Sequence, residues 1–298
     1  MSILVVGSIA FDTVETPFGT CERALGGAAN FFSMTASLFT QVQLVGVVGE
    51  DFPTDHLDYL TTRGVDTAGV QVVKGKTFHW QGHYGYDLNE AQTLKTELNV
   101  FESFNPKLPE SFCDAQTVFL ANIDPELQLQ VLKQVKKPKV IGLDTMNYWI
   151  ESKNGALKEV ISQISILFIN ESELRQLAQE RNTVKAAHKM QALGPKTIVV
   201  KRGEYGALLF HEASCFFAPA FPLEDLFDPT GAGDTFAAGF MAHLDKVGNA
   251  NLDTLREAMV MGSVMASFAI EDFSFNRIKT LDDSQINRRR DEFKQLTL

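Results

Sequence analysis

Asp228-Pro229-Thr230-Gly231-Ala232-Gly233-Asp234 leads into a helical run in which Phe236, Phe240 and Leu244 recur at helix spacing. Two glycines and an alanine leave the backbone amides almost without side-chain cover. At a helix start such amides lie at the positive end of the dipole, and together they make a seat for a phosphate or another developing anion. A carboxylate beside an anion seat is repulsive unless it has a task there. Asp234 can take the proton of a hydroxyl that attacks a phosphoryl group, which makes it the candidate general base. The amides of Ala232, Gly233 and Asp234 would meet the charge spreading over the transferred group, and one such donor is typically worth about 3 kcal/mol of barrier.

Around this loop the chain reads as strands alternating with helices, without a low-complexity linker or a repeat. Ile3-Leu4-Val5-Val6 is a buried first strand, followed by a short polar loop carrying Asp12. Gly26-Gly27 opens a helix through Phe31, Met34, Leu38 and Phe39, and a strand over 42–48 and a helix over 54–62 follow. The segment 77–101 differs: Phe78, Trp80, Gly82, Tyr84 and Tyr86 alternate with polar residues, and Asp87-Leu88-Asn89-Glu90 marks a turn. This predicts a half-exposed antiparallel hairpin whose second arm, 93–101, is extended. Its apolar face and free edge suit pairing with a second copy in a homodimer.

From residue 118 the pattern is regular. Four apolar runs, 118–121, 140–143, 166–169 and 198–200, predict strands covered on both faces. Helical stretches 125–135, 156–164 and 171–193 separate them, the last broken near Asn182. Asn122, Asp144, Asn170 and Lys201 sit at or just past the carboxyl end of a strand, the edge where open α/β sheets bind ligands. The expected architecture is an α/β fold: one domain, 1–298, built on a doubly wound, mostly parallel sheet, with the 77–101 hairpin as a lid.

The 298 residues carry 27 basic and 37 acidic side chains, a net charge of −10, which argues against nucleic acid or an anionic membrane as partner. Arg288-Arg289-Arg290 stands beside Asp291 and Glu292 and predicts a solvated helix end. Cys21, Cys113 and Cys215 lie far apart in no metal spacing, and their odd number suits a reducing cytoplasm. The apolar run at 3–7 is too short and wrongly flanked for a signal peptide, and no stretch approaches the length of a membrane span.

Several further groups carry two readings each. Gly26-Gly27-Ala28-Ala29-Asn30 is either a small-residue helix start or a place where a hydroxylated ligand lies on the backbone beside Asn30. Asn170 with Glu173 makes a capping box, or holds magnesium-bound waters near a nucleotide's phosphates. Lys201-Arg202-Gly203-Glu204-Tyr205-Gly206 is a hairpin turn, or a loop offering amides and one cation to a nucleotide. Asp12, Asn122 and Asp124 are turn or cap residues, or clamps for sugar hydroxyls. His79 and Trp80 stack on a sugar or base, or pack in an oligomer contact. His79 and His83 lack a third partner for a metal. A dinucleotide-binding reading fails because Gly7-Ser8-Ile9-Ala10 lacks the glycine fingerprint.

In this order the pieces resemble the ribokinase-like, or PfkB, carbohydrate kinase family over essentially the whole chain. The carriers are Gly26-Gly27 with Asn30, Val47-Val48-Gly49-Glu50-Asp51, Gly64-Val65-Asp66, Asn170 to Glu173, Lys201 to Gly206 and, most specifically, Asp228 to Asp234. The resemblance implies a three-layer α/β fold, a small β lid with elements within 12–25 and 76–103, and ATP with Mg²⁺ at the carboxyl edge. The acceptor would be the alcohol of a sugar or nucleoside. By resemblance Asp12, Gly27, Asn30 and Asn122 bind the acceptor, and Asn170 and Glu173 organise magnesium through water. Lys201, Gly203 and Gly206 meet the nucleotide, Gly231, Ala232 and Gly233 form the anion hole, and Asp234 is the base. A potassium ion would use Asp228 and Thr230, but its second half, 269–274, departs from the usual glycine-containing pattern with Phe273-Ser274-Phe275. Gly262-Ser263 is the candidate neighbourhood of the adenine. The short spacing between Asp12 and Gly26, and the missing lysine between the glycines, weaken ribose as acceptor. Pro229 and Ile123-Asp124-Pro125-Glu126 resemble some microbial nucleoside kinases. A non-catalytic sensor on the same scaffold is the alternative, though the acid and the glycines it would be expected to lose are intact.

Overall fold

Alternate residues of a strand point to opposite faces, so an apolar strand with both faces covered splits its side chains between two cores. In the computed structural model, which describes residues 2–89 and 91–296, the first strand does this: Ile3 and Val5 enter one core, Leu4 and Val6 the other. Glu90, part of the predicted lid turn, lies outside the described residues.

The chain begins β1 (Ser2–Val6), β2 (Ala10–Thr16), β3 (Gly19–Gly26), α1 (Ala28–Ala36), β4 (Gln41–Gly49), α2 (Thr54–Thr62), β5 (Val65–Val73), β6 (Phe78–Tyr84) and β7 (Ala91–Glu97). It continues β8 (Thr117–Leu120), α3 (Pro125–Leu132), β9 (Val140–Asp144), α4 (Asn147–Ser152), α5 (Asn154–Ile161), β10 (Ile166–Asn170), α6 (Glu171–Ala178) and α7 (Thr183–Gln191). It ends β11 (Thr197–Lys201), β12 (Ala207–His211), β13 (Ser214–Ala218), α8 (Ala232–Val247), α9 (Leu252–Ala269), α10 (Asn276–Lys279) and α11 (Asp283–Gln295).

Nine strands form the central sheet in the order β13-β12-β11-β10-β9-β8-β1-β4-β5. From β11 to β5 every neighbouring pair is parallel; β12 and β13 extend it as antiparallel strands. Helices α1, α8 and α9 cover one face through Phe31, Phe240 and Met265, while α3, α5, α6 and α7 cover the other through Leu129, Leu157, Leu174 and Ala187. The expected doubly wound, three-layer α/β fold is therefore present. A second sheet, β3-β2-β6-β7, is the lid. Its hairpins β2–β3 and β6–β7 are antiparallel and join through the parallel pair β2–β6.

Four local expectations need correction. Asp12 lies in strand β2, not in a loop, and β2 turns straight into β3. The second arm of the lid hairpin stops at Glu97, because Asn99 takes φ 50° and starts a 3₁₀ turn over Asn99–Ser103. The 125–135 helix ends at Leu132, and α5 is preceded by α4, which the polar Thr145–Asn147 approach concealed. Arg289 is not solvated: its guanidinium stacks 3.6 Å from the centre of the Phe268 ring and donates to Glu271 Oε1 at 2.6 Å. The expected break in 171–193 is real, with Gln179 left-handed and the Asn182 side chain capping α7.

Candidate active site

Helix α8 begins at Gly231, whose φ of 75° is left-handed and whose missing side chain leaves room for the Phe31 ring. That places Asp234 in the first turn of α8, within electrostatic reach of the carboxyl ends of β9 and β11. Asp144 ends β9 and Lys201 ends β11, and Lys201 Nζ donates to Asp144 Oδ2 at 2.6 Å. The same ammonium lies over the helix start, where a β-carbon added to Gly233 would stand 3.1 Å from it. The Gly233 amide has no partner among the described residues, whereas Ala232 N–H donates to Pro229 O at 3.1 Å. One amide of the expected trio is thus engaged and one is open to a ligand.

Burial raises the Asp234 carboxyl to about 7, Asp144 adds to the rise, and Lys201 opposes it. Burial also presses on the Lys201 ammonium, but the carboxylates of Asp144, Glu173 and Asp234 outweigh it and hold its proton more tightly than usual. Glu173 is raised to about 7, mainly by burial, with Lys201 opposing and Asp144 adding. One cation among three carboxyl groups leaves negative charge in excess. That charge disfavours ionisation until another cation arrives.

Asn170 and Glu173 form the reciprocal capping box in full: Asn170 Oδ1 accepts from Glu173 N–H at 2.8 Å, and Glu173 Oε2 accepts from Asn170 N–H at 3.1 Å. The cap does not remove Glu173 from the site, because it remains within electrostatic reach of Lys201.

Beside these groups opens a cavity of about 450 Å³. Lys201, Gly203 and Gly206 line it from the hairpin loop, Ala232 and Gly233 from α8, and Ser263 and Ser267 from α9. The candidate adenine pair divides: Ser263 faces the cavity, while Gly262 is packed so closely that a β-carbon would lie 2.9 Å from Phe236 O. Phe221 forms another wall, and Arg289 stands behind it, between the Phe221 and Phe268 rings and donating to Ser267 Oγ at 3.1 Å. The lid tip closes one side through Asp87, Leu88 and Asn89. Asn89 Nδ2 donates to Glu204 Oε1 at 3.2 Å.

On the lid side Asp12 lies against Gly26, where any β-carbon would collide with its carboxylate. Its carboxyl is raised to about 7 by burial and by the charges of Asp228 and Asp234, against the pull of the Gly27 N–H. Asn30 is fully buried; its amide donates to Gly26 O at 3.2 Å and its carbonyl meets His56 Nε2 at 3.0 Å. Burial first, then the Lys279 charge, lowers His56 to about 4, so the ring is neutral at pH 7. Asp228 Oδ1 accepts from Thr230 N–H at 2.8 Å and Oδ2 from Ser274 N–H at 3.4 Å. Asn122 lies apart from the cavity lining, at the end of β8, and accepts the Trp149 indole N–H at 3.0 Å. Among the described residues no group of three His, Cys, Asp or Glu side chains is set to hold a metal directly, and no helix is long and apolar enough to cross a membrane.

Sequence reasoning gave no role to three residues at the site. Asp144 had its strand-end position as a signal. Tyr84 stood in the alternating lid pattern; its hydroxyl lies 3.3 Å from Thr230 Oγ1, and burial raises its proton affinity. Asn89 had no signal beyond its turn.

Comparison with known proteins shows the family. The family model described as pfkB family carbohydrate kinase matches residues 2–279. A cytidine kinase of Thermococcus kodakarensis is 33% identical over 248 residues, covering 81% of this chain and 88% of the relative. Among solved structures, a nucleoside kinase of Methanocaldococcus jannaschii superposes with a TM-score of 0.77 at 20% identity, covering 98% of both chains. An aminoimidazole riboside kinase of Salmonella enterica, complexed with aminoimidazole riboside and an ATP analogue, gives 0.77 at 21% identity, covering 97% of this chain and all of its own. The chain belongs to the pfkB family of carbohydrate kinases, phosphotransferases that act on a hydroxyl acceptor.

Proposed function

We propose that this chain is an ATP-dependent nucleoside kinase in which Asp234 removes the proton of the acceptor hydroxyl. The observation that carries the reading is the meeting of three features at one helix start: a carboxyl with proton affinity near neutrality, an open Gly233 amide and the Lys201 ammonium. A base with a pKa near the working pH combines a useful ionised fraction with a useful driving force. The nucleoside choice rests on the likeness to the Thermococcus cytidine kinase.

The cavity beside Lys201 has room for a nucleotide, with Gly203, Gly206 and Gly233 leaving the backbone open to phosphate. Ser263 and Phe221 then flank the base. Magnesium fits as an ion carried by the phosphates, since no direct protein cage exists among the described residues. Glu173 and Asn170 would hold its waters, and the ion would supply charge neutralisation to the phosphates. Its charge would also answer the excess negative charge on Asp144, Glu173 and Asp234. A potassium ion would take Asp228 and the Thr230 carbonyl. On the other side Asp12, the Gly27 N–H and Asn30 hold the acceptor's hydroxyls, with Asn30 oriented by the neutral His56.

An ADP-release assay over a panel of sugars and nucleosides, with and without potassium, tests the proposal. The expected result is turnover of nucleosides in the wild type. Asp234→Asn should then bind nucleotide normally in calorimetry while kcat falls by about 10³-fold or more. Turnover at the wild-type rate would show that Asp234 is not the base.

A further inference from the structure

We propose that Trp80 is the stacking platform for the nucleobase of the acceptor. This rests on the nucleoside reading and adds to it the residue that selects for a planar base over a free sugar.

Trp80 pairs in register with Asp12, its neighbour across the parallel β2–β6 ladder. Register partners point the same way, and side chains two and four residues along one strand share a face. Asp12 points at Gly26, and Tyr84, four residues beyond Trp80, reaches Thr230 in the loop before α8. Trp80 therefore projects from the inner face of the lid, between the candidate diol clamp and the phosphate loop. His79 projects from the opposite face, where its ring meets Thr13 Oγ1 at 2.9 Å and Glu97 Oε2 at 3.3 Å. The two residues, equivalent in sequence, are thus separated by the sheet.

The ring's attitude is set by a glycine. A β-carbon at Gly82 would collide with the six-membered ring of Trp80, so the indole lies against the strand where that side chain is missing. Its N–H donates to Thr93 Oγ1 at 3.2 Å, tethering the ring edge to β7. One face is thereby turned to the strand and the other to the cleft. Trp80 is only half-buried, and among the described residues no aromatic ring stacks on it. A large rigid π surface, tethered at its polar corner and with no aromatic ring stacked on it among the described residues, suits a flat heterocycle. The lateral step from Asp12 to Trp80 is one strand spacing, about 5 Å. That spacing suits a ribose diol held at Asp12 with its base reaching Trp80.

The test compares wild type, Trp80→Ala and Trp80→Phe on the best nucleoside of the panel and on free ribose. Trp80→Ala is expected to raise the nucleoside KM about 10-fold or more, with the KM for ATP unchanged and any activity on ribose unaltered. Trp80→Phe, which keeps a ring, should recover most of the nucleoside affinity. Nucleoside should quench indole emission in the wild type, and in Trp80→Phe the quench should fall to what Trp149, the other tryptophan, contributes, a readout that does not depend on the alanine variant folding. If the wild type phosphorylates nucleosides while both variants keep its KM, or the quench is undiminished in Trp80→Phe, the platform is overturned and the kinase reading stands. If the wild type phosphorylates no nucleoside, both fall.

Discussion

At the scale of the residue, the site is a contest for one proton. Asp234 is raised by burial and by Asp144, and lowered by Lys201. If its ionised form is the base, kcat/KM must fall as pH drops through about 7, because protonation removes the lone pair that accepts the hydroxyl's proton. The signs of the neighbours then fix the direction of two shifts. Asp144→Asn deletes a charge that disfavours ionisation, so the acidic limb should move to lower pH. Lys201→Met deletes a charge that favours it, so the limb should move to higher pH, alongside weaker nucleotide binding. A pH profile of kcat/KM for the three proteins checks both, and shifts in one common direction would contradict the assignment.

At the scale of the element, strand β6 links the lid to the loop before α8 through the Tyr84–Thr230 hydrogen bond. Tyr84→Phe removes that bond and leaves the packed ring. A net hydrogen bond of about 1 kcal/mol predicts roughly a 5-fold loss in kcat/KM, with little change in melting temperature. Steady-state kinetics and thermal unfolding measure the two parts. Elements were legible in the sequence where one period dominated: the doubly covered strands β8 to β11 show as apolar runs, and the 77–101 alternation shows the lid. Strands β2 and β3 were hidden because Asp12 and Thr16 interrupt the face of Ala10 and Val14, Thr13 and Glu15 share the face of Phe11, and β3 is exposed or half-buried but for Gly26, so no apolar period survives. Arg289 was misread because a charged run resembles a solvated surface, and only the fold brings Phe221, Phe268 and Glu271 around it. Asn170 and Glu173 make the capping box in full, and because the box sits at a strand's carboxyl end it leaves the Glu173 carboxyl within electrostatic reach of Lys201. The start of α8, with Gly231 left-handed and Asp234 in its first turn, was legible because helix-start chemistry is local in sequence. Tyr84 and Asn89 reach Thr230 and Glu204 across the gap between two sheets, a relation that periodicity does not carry.

At the scale of the whole molecule, two bodies enclose one site. The central sheet supplies Lys201, Asp144 and the start of α8; the lid supplies Asp12 and Trp80 on its inner face and Asn89 at its tip. The tip lines the cavity assigned to the nucleotide in the proposed function, while the inner face holds the proposed acceptor groups. On that reading each ligand would bridge the lid and the central sheet, and whichever binds first would bear the cost of fixing their relative position. The second ligand meets a lid already set, so the two should bind with positive coupling, and linkage requires the factor to be the same in both directions. Calorimetry with a non-hydrolysable ATP analogue, alone and with saturating nucleoside, should show a Kd lowered by about 5-fold or more. The reverse titration should return the same factor. Asn89→Ala removes the tip's contact with Glu204 and should shrink the factor while leaving acceptor binding without nucleotide unchanged. Equal affinities with and without the second ligand would mean that the lid closes on the two sites independently.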